Sequence, residues 1–183
     1  MSRPTHIYVA LLRGVNLGPA RRIQMAALRE LLGGHGHENV ATYLQSGNIV
    51  LESSLTSARL EQTLETQLAA GLGFDVDVLV RTAQEMAEIV ARNPLRDVAV
   101  DPARYLVTFL RKKPGSSLVE RLTSAGVAPE VVVAAGRELY SWHPGGVGRS
   151  ELGKLLQPKR LGLTASARNW RVVEQLSALA RGR

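Results

Sequence analysis

The chain has 183 residues, 45% of them hydrophobic and none of them cysteine, with 23 Lys and Arg against 16 Asp and Glu for a formal net charge of +7. Such a chain fits one globular domain or two small ones sharing a core. The missing cysteine excludes disulfides, thiolate metal sites and a cysteine nucleophile and fits a cytoplasmic chain; with no apolar run of membrane-spanning length and no signal-peptide layout, no membrane is expected.

Residues 7–12 (Ile-Tyr-Val-Ala-Leu-Leu) read as a strand apolar on both faces, hence central. A polar, glycine-bearing loop follows, Arg13-Gly14-Val15-Asn16-Leu17-Gly18, and a helical pattern opens near Gln24. Strand, glycine loop and helix form the layout in which backbone N–H groups meet an anion, although the spacing is neither GxGxxG nor GxxxxGK[ST]. Met25, Leu28, Leu31 and Leu32 keep helical spacing until Gly33-Gly34. Residues 40–44 and 49–51 are β-prone runs around Gln45-Ser46-Gly47-Asn48, a predicted hairpin turn with Gly47 at positive φ. Leu60, Leu64, Leu68 and Leu72 predict a second helix over 57–71, bounded by Gly71 and Gly73, and residues 76–80 a fourth strand.

The order β-α-β-β-α-β is that of a split βαβ, or ferredoxin-like, unit. A right-handed crossover makes strands one and two parallel, with strand three antiparallel between them. Geometry then puts Arg13, Gly14 and Asn16 beside Gln45, Ser46, Gly47 and Asn48, about thirty residues away, at one edge of the sheet.

Thr82-Ala83-Gln84-Glu85 is a capping box for a linking helix, stopped at Asn93-Pro94. Residues 105–110 form an apolar strand, Ser117-Leu118-Val119-Glu120 a second capping box, and 131–134 with 139–142 a hairpin around Gly136-Arg137. The loop His143-Pro144-Gly145-Gly146-Val147-Gly148 leads to a helix from Arg149 or Ser150, and the last helix is expected over 166–180, with Arg168 and Asn169 in its first turn and Trp170 in the core. The fold class is therefore α+β: two ferredoxin-like halves with mainly antiparallel sheets, residues 1–81 complete and 82–183 a linking helix plus an incomplete second half. Strands apolar on both faces are most simply covered if the halves pack together.

The charge is uneven. Residues 140–183 hold eight Lys and Arg against Glu151 and Glu174, which is six of the seven net charges. Either this is compositional drift or it marks a surface for nucleotide or nucleic acid. Arg149, Ser150 and Lys154 lie at a helix start with N–H donors and two cations.

The motifs Leu11-Leu12-Arg13-Gly14-Val15-Asn16-Leu17-Gly18, Thr42-Tyr43-Leu44-Gln45-Ser46-Gly47-Asn48-Ile49-Val50, Gly148-Arg149-Ser150 and Thr164-Ala165-Ser166-Ala167-Arg168-Asn169-Trp170 resemble the bacterial family catalogued as domain of unknown function 1697. The likeness runs from about residue 5 to the C-terminus. It implies an α+β fold with ferredoxin-like character and no assigned activity. Where members often carry a lysine or a second glycine, this chain has Gly18-Pro19-Ala20-Arg21-Arg22, which keeps charge in a stiffer loop; Gly36-His37-Glu38 replaces a glycine-aromatic pair.

Three readings follow. Arg13 with Gly14 N–H and the Asn16 amide, the Gln45–Asn48 turn, and Arg149, Ser150, Lys154, Arg168 and Asn169 make an anion-binding site for a nucleotide or nucleic-acid phosphate. Alternatively the motifs only tie loops together, in a protein acting through another surface. In the third reading an enzyme clamps a small phosphorylated or carboxylated substrate with Arg13 and moves protons with Ser46 or with His143, expected to be exposed. Glu61, Glu65, Glu85 and Glu88 read as solvated helix faces, and His35 and His37 as loop residues rather than a metal pair. No cofactor is implied.

Overall fold

The computed structural model describes residues 5–18 and 21–182; Pro19 and Ala20, where a stiffer loop was expected, and Arg183 of the basic cluster lie outside them. The chain divides into two compact units, Met1–Glu88 with Leu176–Arg183, and Ile89–Gln175.

The first unit contains β1 (His6–Leu12), α1 (Met25–Gly34), β2 (Glu38–Tyr43), β3 (Asn48–Ser53), α2 (Ser57–Leu72) and β4 (Val78–Thr82), followed by the start of α3 (Ala83–Arg92). The sheet order is β2-β3-β1-β4, with every pair antiparallel. This is the order the split βαβ reading predicts. Tyr8, Ala10 and Leu12 on one face of β1 join Leu28 and Leu32 of α1 and Leu60, Leu64 and Leu68 of α2 in one core. Val9 and Leu11, on the opposite face, are buried as well, as a strand apolar on both sides requires. Each such side chain contributes about 1.5–3 kcal/mol when fully buried.

The glycines and acids of this unit behave differently from expectation at two points. Gly71 does not end α2 but sits inside it, where a Cβ would lie 2.5 Å from Leu31 Cδ1; Gly73, at φ +75°, is the left-handed cap. Glu61 and Glu65 are not solvated. Their carboxylates accept the backbone N–H groups of Val80 (2.8 Å) and Val78 (2.9 Å) on β4. At the end of β4 the capping box forms as predicted: Thr82 Oγ1 accepts the Glu85 N–H, and Glu85 Oε2 the Thr82 N–H.

The second unit contains β5 (Tyr105–Leu110), α4 (Ser116–Thr123), β6 (Val131–Ala135), β7 (Glu138–Trp142), α5 (Glu151–Leu155), α6 (Pro158–Leu161), β8 (Ala165–Asn169) and the start of α7 (Trp170–Arg181). Its order, β6-β7-β5-β8, is again antiparallel throughout. Residues 166–169 were expected to open the last helix. With Ala165 they form instead the fourth strand of this sheet, and α7 begins only at Trp170, where the Asn169 side chain accepts the Val172 N–H. Ser117-Leu118-Val119-Glu120 is likewise not a capping box: α4 starts a residue earlier, at Ser116, after Gly115, with no side-chain cap. Trp170 is core as predicted, stacked on Tyr105 with ring centroids 4.7 Å apart. No helix of the described residues is long and apolar enough to cross a membrane.

Candidate functional site

The loop after β1 and the turn between β2 and β3 do meet, at one edge of the first sheet. Gly14 (φ +70°) and Asn16 (φ +56°) bend the loop back on itself. The Asn16 side chain then acts as a clasp: Oδ1 accepts the Ile23 N–H (2.8 Å), and Nδ2 donates to the carbonyls of Ile23 (3.2 Å) and Gln45. The Leu12 N–H donates to the Gly47 carbonyl at 2.8 Å. Gly47, at φ +71° as its turn requires, lies so close to the loop that a Cβ would stand 2.6 Å from Val15 Cγ2 and 2.7 Å from Leu12 Cβ. Fully buried Asn48 donates from Nδ2 to the Tyr43 carbonyl (2.9 Å) and to Ser46 Oγ (2.8 Å).

Much of the polar motif is thus engaged within the protein. Arg13 is ion-paired with Asp77, and its N–H donates to the Asp77 carbonyl at 2.9 Å. Both side chains are partly exposed, so the pair contributes about 1 kcal/mol at most. Beside it lies a cavity of about 250 Å³ lined by Arg13, Gly14, Arg21, Asp75 and Asp77, where two carboxylates offset the two arginines.

On the other side of the loop a groove of about 850 Å³ is lined by Asn16, Arg22, Ile23, Gln24, Met25, Ala26, Arg29 and Gln45. It opens over the start of α1, whose N-cap Gln24 makes no side-chain cap and whose first turn holds no acid. The leading N–H groups and the positive end of the helix dipole therefore face the groove without an internal counter-anion. Arg22 and Arg29 are exposed, and Arg29 Nη1 donates to Thr42 Oγ1 at 2.6 Å. These two arginines were missing from the sequence-derived site. The signal for Arg22 was present, in the Arg21-Arg22 pair before the helix and a first turn free of acids; Arg29 lies within α1 and had none.

The remaining candidates belong to the second unit. A single 3-10 turn, Val147–Arg149, precedes Ser150, which is the N-cap of α5: its Oγ accepts the Gly153 N–H at 2.6 Å. Lys154 is paired with Glu151. His143 is not exposed but fully buried, with Nδ1 2.7 Å from Ser150 Oγ and Nε2 2.8 Å from Ser141 Oγ. Burial lowers its pKa from the usual 6.5, against the opposing pull of Glu130, whose Oε1 is 3.8 Å away. A ring held at both nitrogens and shielded from solvent is not placed to exchange protons with a ligand. The nearby cavity, about 620 Å³, mixes Arg149 with Glu130 and Glu151 and so has no single sign of charge.

Arg168 lies in β8, where Nη1 donates to Ser166 Oγ and to the Ala167 carbonyl, each at 2.8 Å. Burial lowers its pKa to about 10, which leaves it cationic at neutral pH. Asn169 is occupied as the cap of α7. In the first unit His37 bonds Gln67 at 2.7 Å, and no group of three or more His, Asp or Glu among the described residues is arranged to hold a metal ion.

Comparison with known proteins adds a family and a fold. A family model described as "Protein of unknown function (DUF1697)" matches residues 6–140, ending before the Gly148-Arg149-Ser150 and Thr164–Trp170 motifs. The solved structure of a conserved bacterial protein, SP0830 from Streptococcus pneumoniae, is similar with a TM-score of 0.77 at 23% identity, covering 97% of this chain and 99% of that one. At that identity it establishes the fold alone. No curated protein matches.

Proposed function

The chain belongs to the DUF1697 family, whose description assigns no activity, and from that premise we propose that it binds an anionic ligand, the phosphate of a nucleotide or nucleic acid, in the groove at the start of α1. One observation carries the reading: the residues lining the groove include two arginines, an uncapped helix start and no carboxylate. A guanidinium presents paired donors matched to phosphate oxygens, and backbone N–H groups complete the cradle. Asn16 and Gln45, joined to each other, form the opposite wall. The family motif then has a mechanical task, which is to hold that wall against the helix. No histidine lines the groove either, so it is equipped to hold a ligand rather than to move a proton.

The test is fluorescence-polarisation binding of a labelled single-stranded oligonucleotide and, separately, of a labelled mononucleotide, over a salt series. Each charge-assisted bond is worth about 1.5–3 kcal/mol, so Arg22→Gln with Arg29→Gln should weaken binding at least about tenfold and flatten its salt dependence. Lys154→Gln should change neither. Absence of binding to both probes, or identical affinity in the double variant, would end the proposal. A second reading, that the motifs serve only to tie loops together, is favoured by the contacts of Asn16 and Asn48; it predicts no affinity for either probe.

A further inference from the structure

The two sheets end alike at one corner and are balanced differently there. After β1 the Arg13 N–H donates to the Asp77 carbonyl ahead of β4; after β5 the Arg111 N–H donates to the Thr164 carbonyl ahead of β8, at 3.0 Å. In the first unit the corner carries its own counter-charges, Asp75 and Asp77 against Arg13 and Arg21. In the second unit the place of Asp77 is held by uncharged Thr164, and the chain runs on from Arg111 into Lys112 and Lys113, both exposed.

Three further cations reach the same corner. Lys159 and Arg160, exposed on α6, stand five and four residues before Thr164, so their Cα atoms lie within about 18 Å of it whatever path the chain takes. The exposed Arg121 of α4 is held beside them, because its Nη2 donates to the Arg160 carbonyl at 3.1 Å. Leu122 of α4 and Leu161 of α6 sink into one core, which seats both helices on the same face of the sheet. Arg111 itself is half-buried and engaged within the unit; the charge offered to solvent is that of the other five. None of the five is ion-paired among the described residues. The one acid in residues 111–123 and 158–164 is Glu120. Of the four lysines in the chain, Lys112, Lys113 and Lys159 stand here, and the fourth, Lys154, is paired with Glu151. Compositional drift toward arginine does not gather lysines, and like charges brought together repel.

We propose that this corner of the second unit is an interaction surface whose partner is the phosphate backbone of a nucleic-acid duplex. A DNA duplex carries one negative charge per about 1.7 Å of its axis, so a stretch of about 18 Å presents about ten. Lysine is a point charge on a flexible stem, suited to following phosphates with no fixed geometry. Residues 110–138 and 151–164 hold no aromatic side chain, so the surface lacks the stacking platform on which a single strand is held. Contacts confined to the backbone carry no sequence information. The surface does not rest on the reading of the groove at α1.

The test is fluorescence polarisation of a labelled short DNA duplex against the full chain, over a salt series. Binding should weaken steeply with salt, be equal for duplexes of unrelated sequence, and be weaker for the single strand. Combining Lys112→Gln, Lys113→Gln, Lys159→Gln and Arg160→Gln should cut duplex affinity at least about tenfold and lower the salt slope by about three to four. Circular dichroism of this variant should match the parent. Arg22→Gln with Arg29→Gln, in the first unit, should leave duplex binding unchanged, so the two proposals fail separately. Should the fourfold variant fold poorly, amine acylation of the unsubstituted chain decides: the duplex should shield Lys112, Lys113 and Lys159 and leave Lys154 reactive. No binding to the duplex, equal affinity of the folded fourfold variant, a single strand held as tightly as the duplex, or acylation that the duplex does not change would each overturn the proposal.

Discussion

The two units share one strand order and differ in what the turn between their second and third strands has to do. In the second unit Gly136 (φ +65°) helps turn β6 into β7, and a Cβ added there would meet only the end of the Glu138 side chain, at 3.3 Å, and the tip of Arg92, at 3.8 Å. In the first unit the corresponding turn is longer, is clasped by Asn16, and presses Gly47 against Leu12 and Val15. One sheet architecture thus carries a plain hairpin in one place and a built-up corner in the other. The difference locates the specialised part of the molecule in loops set on a common scaffold.

The sharpest way to break this comparison is to substitute the two turn glycines. Gly47→Ala meets both a left-handed backbone and two fixed carbons, and should cost about 2–5 kcal/mol, the sum of conformational and overpacking penalties. Gly136→Ala keeps the first penalty but faces only flexible side-chain ends, and should cost about 1–2 kcal/mol. Urea denaturation of both variants measures the gap; equal losses would show that the corner at Gly47 is no tighter than an ordinary hairpin.

The next effect is confined to the second unit. Burial lowers the pKa of His143, so the unfolded chain takes up a proton at a higher pH than the folded one. Stability is therefore full above the unfolded value of 6.5 and declines as pH falls through it. The slope from this group is at most about 1.4 kcal/mol per pH unit. Denaturation midpoints measured on either side of that value should show the decline in the parent and a flatter profile in His143→Gln. Amide exchange should show residues 105–169 loosening first. Smallest of all, Lys154→Gln removes an exposed i,i+3 pair with Glu151 and should change stability by less than about 0.5 kcal/mol.

The sequence was most legible where local chemistry and topology agreed. The two loops meet because β1 and β3 are neighbours, which the element order alone implies, and Thr82 with Glu85 caps α3 through bonds spanning three residues. It was least legible where a residue's partner is backbone far along the chain. Glu61 and Glu65 have the spacing of a solvated helix face, and nothing in that spacing reveals that the N–H groups of Val80 and Val78 need acceptors. Strand β8 was hidden by its composition, since alanine, serine and asparagine carry little β-propensity and its place is set by pairing with β5. His143 looked exposed beside Pro144, yet two serine hydroxyls and the folding-in of Ser150 make room for it inside.

One contact away from the groove governs its geometry. Leu31, near the far end of α1, fills the notch that Gly71 leaves in α2. With one end of a short rod seated in that socket and the other pinned by the clasp on Ile23, the rod has little freedom to swing. The aim of its leading amides is thus fixed by the fold itself, and the entropy of orienting them has already been spent in folding.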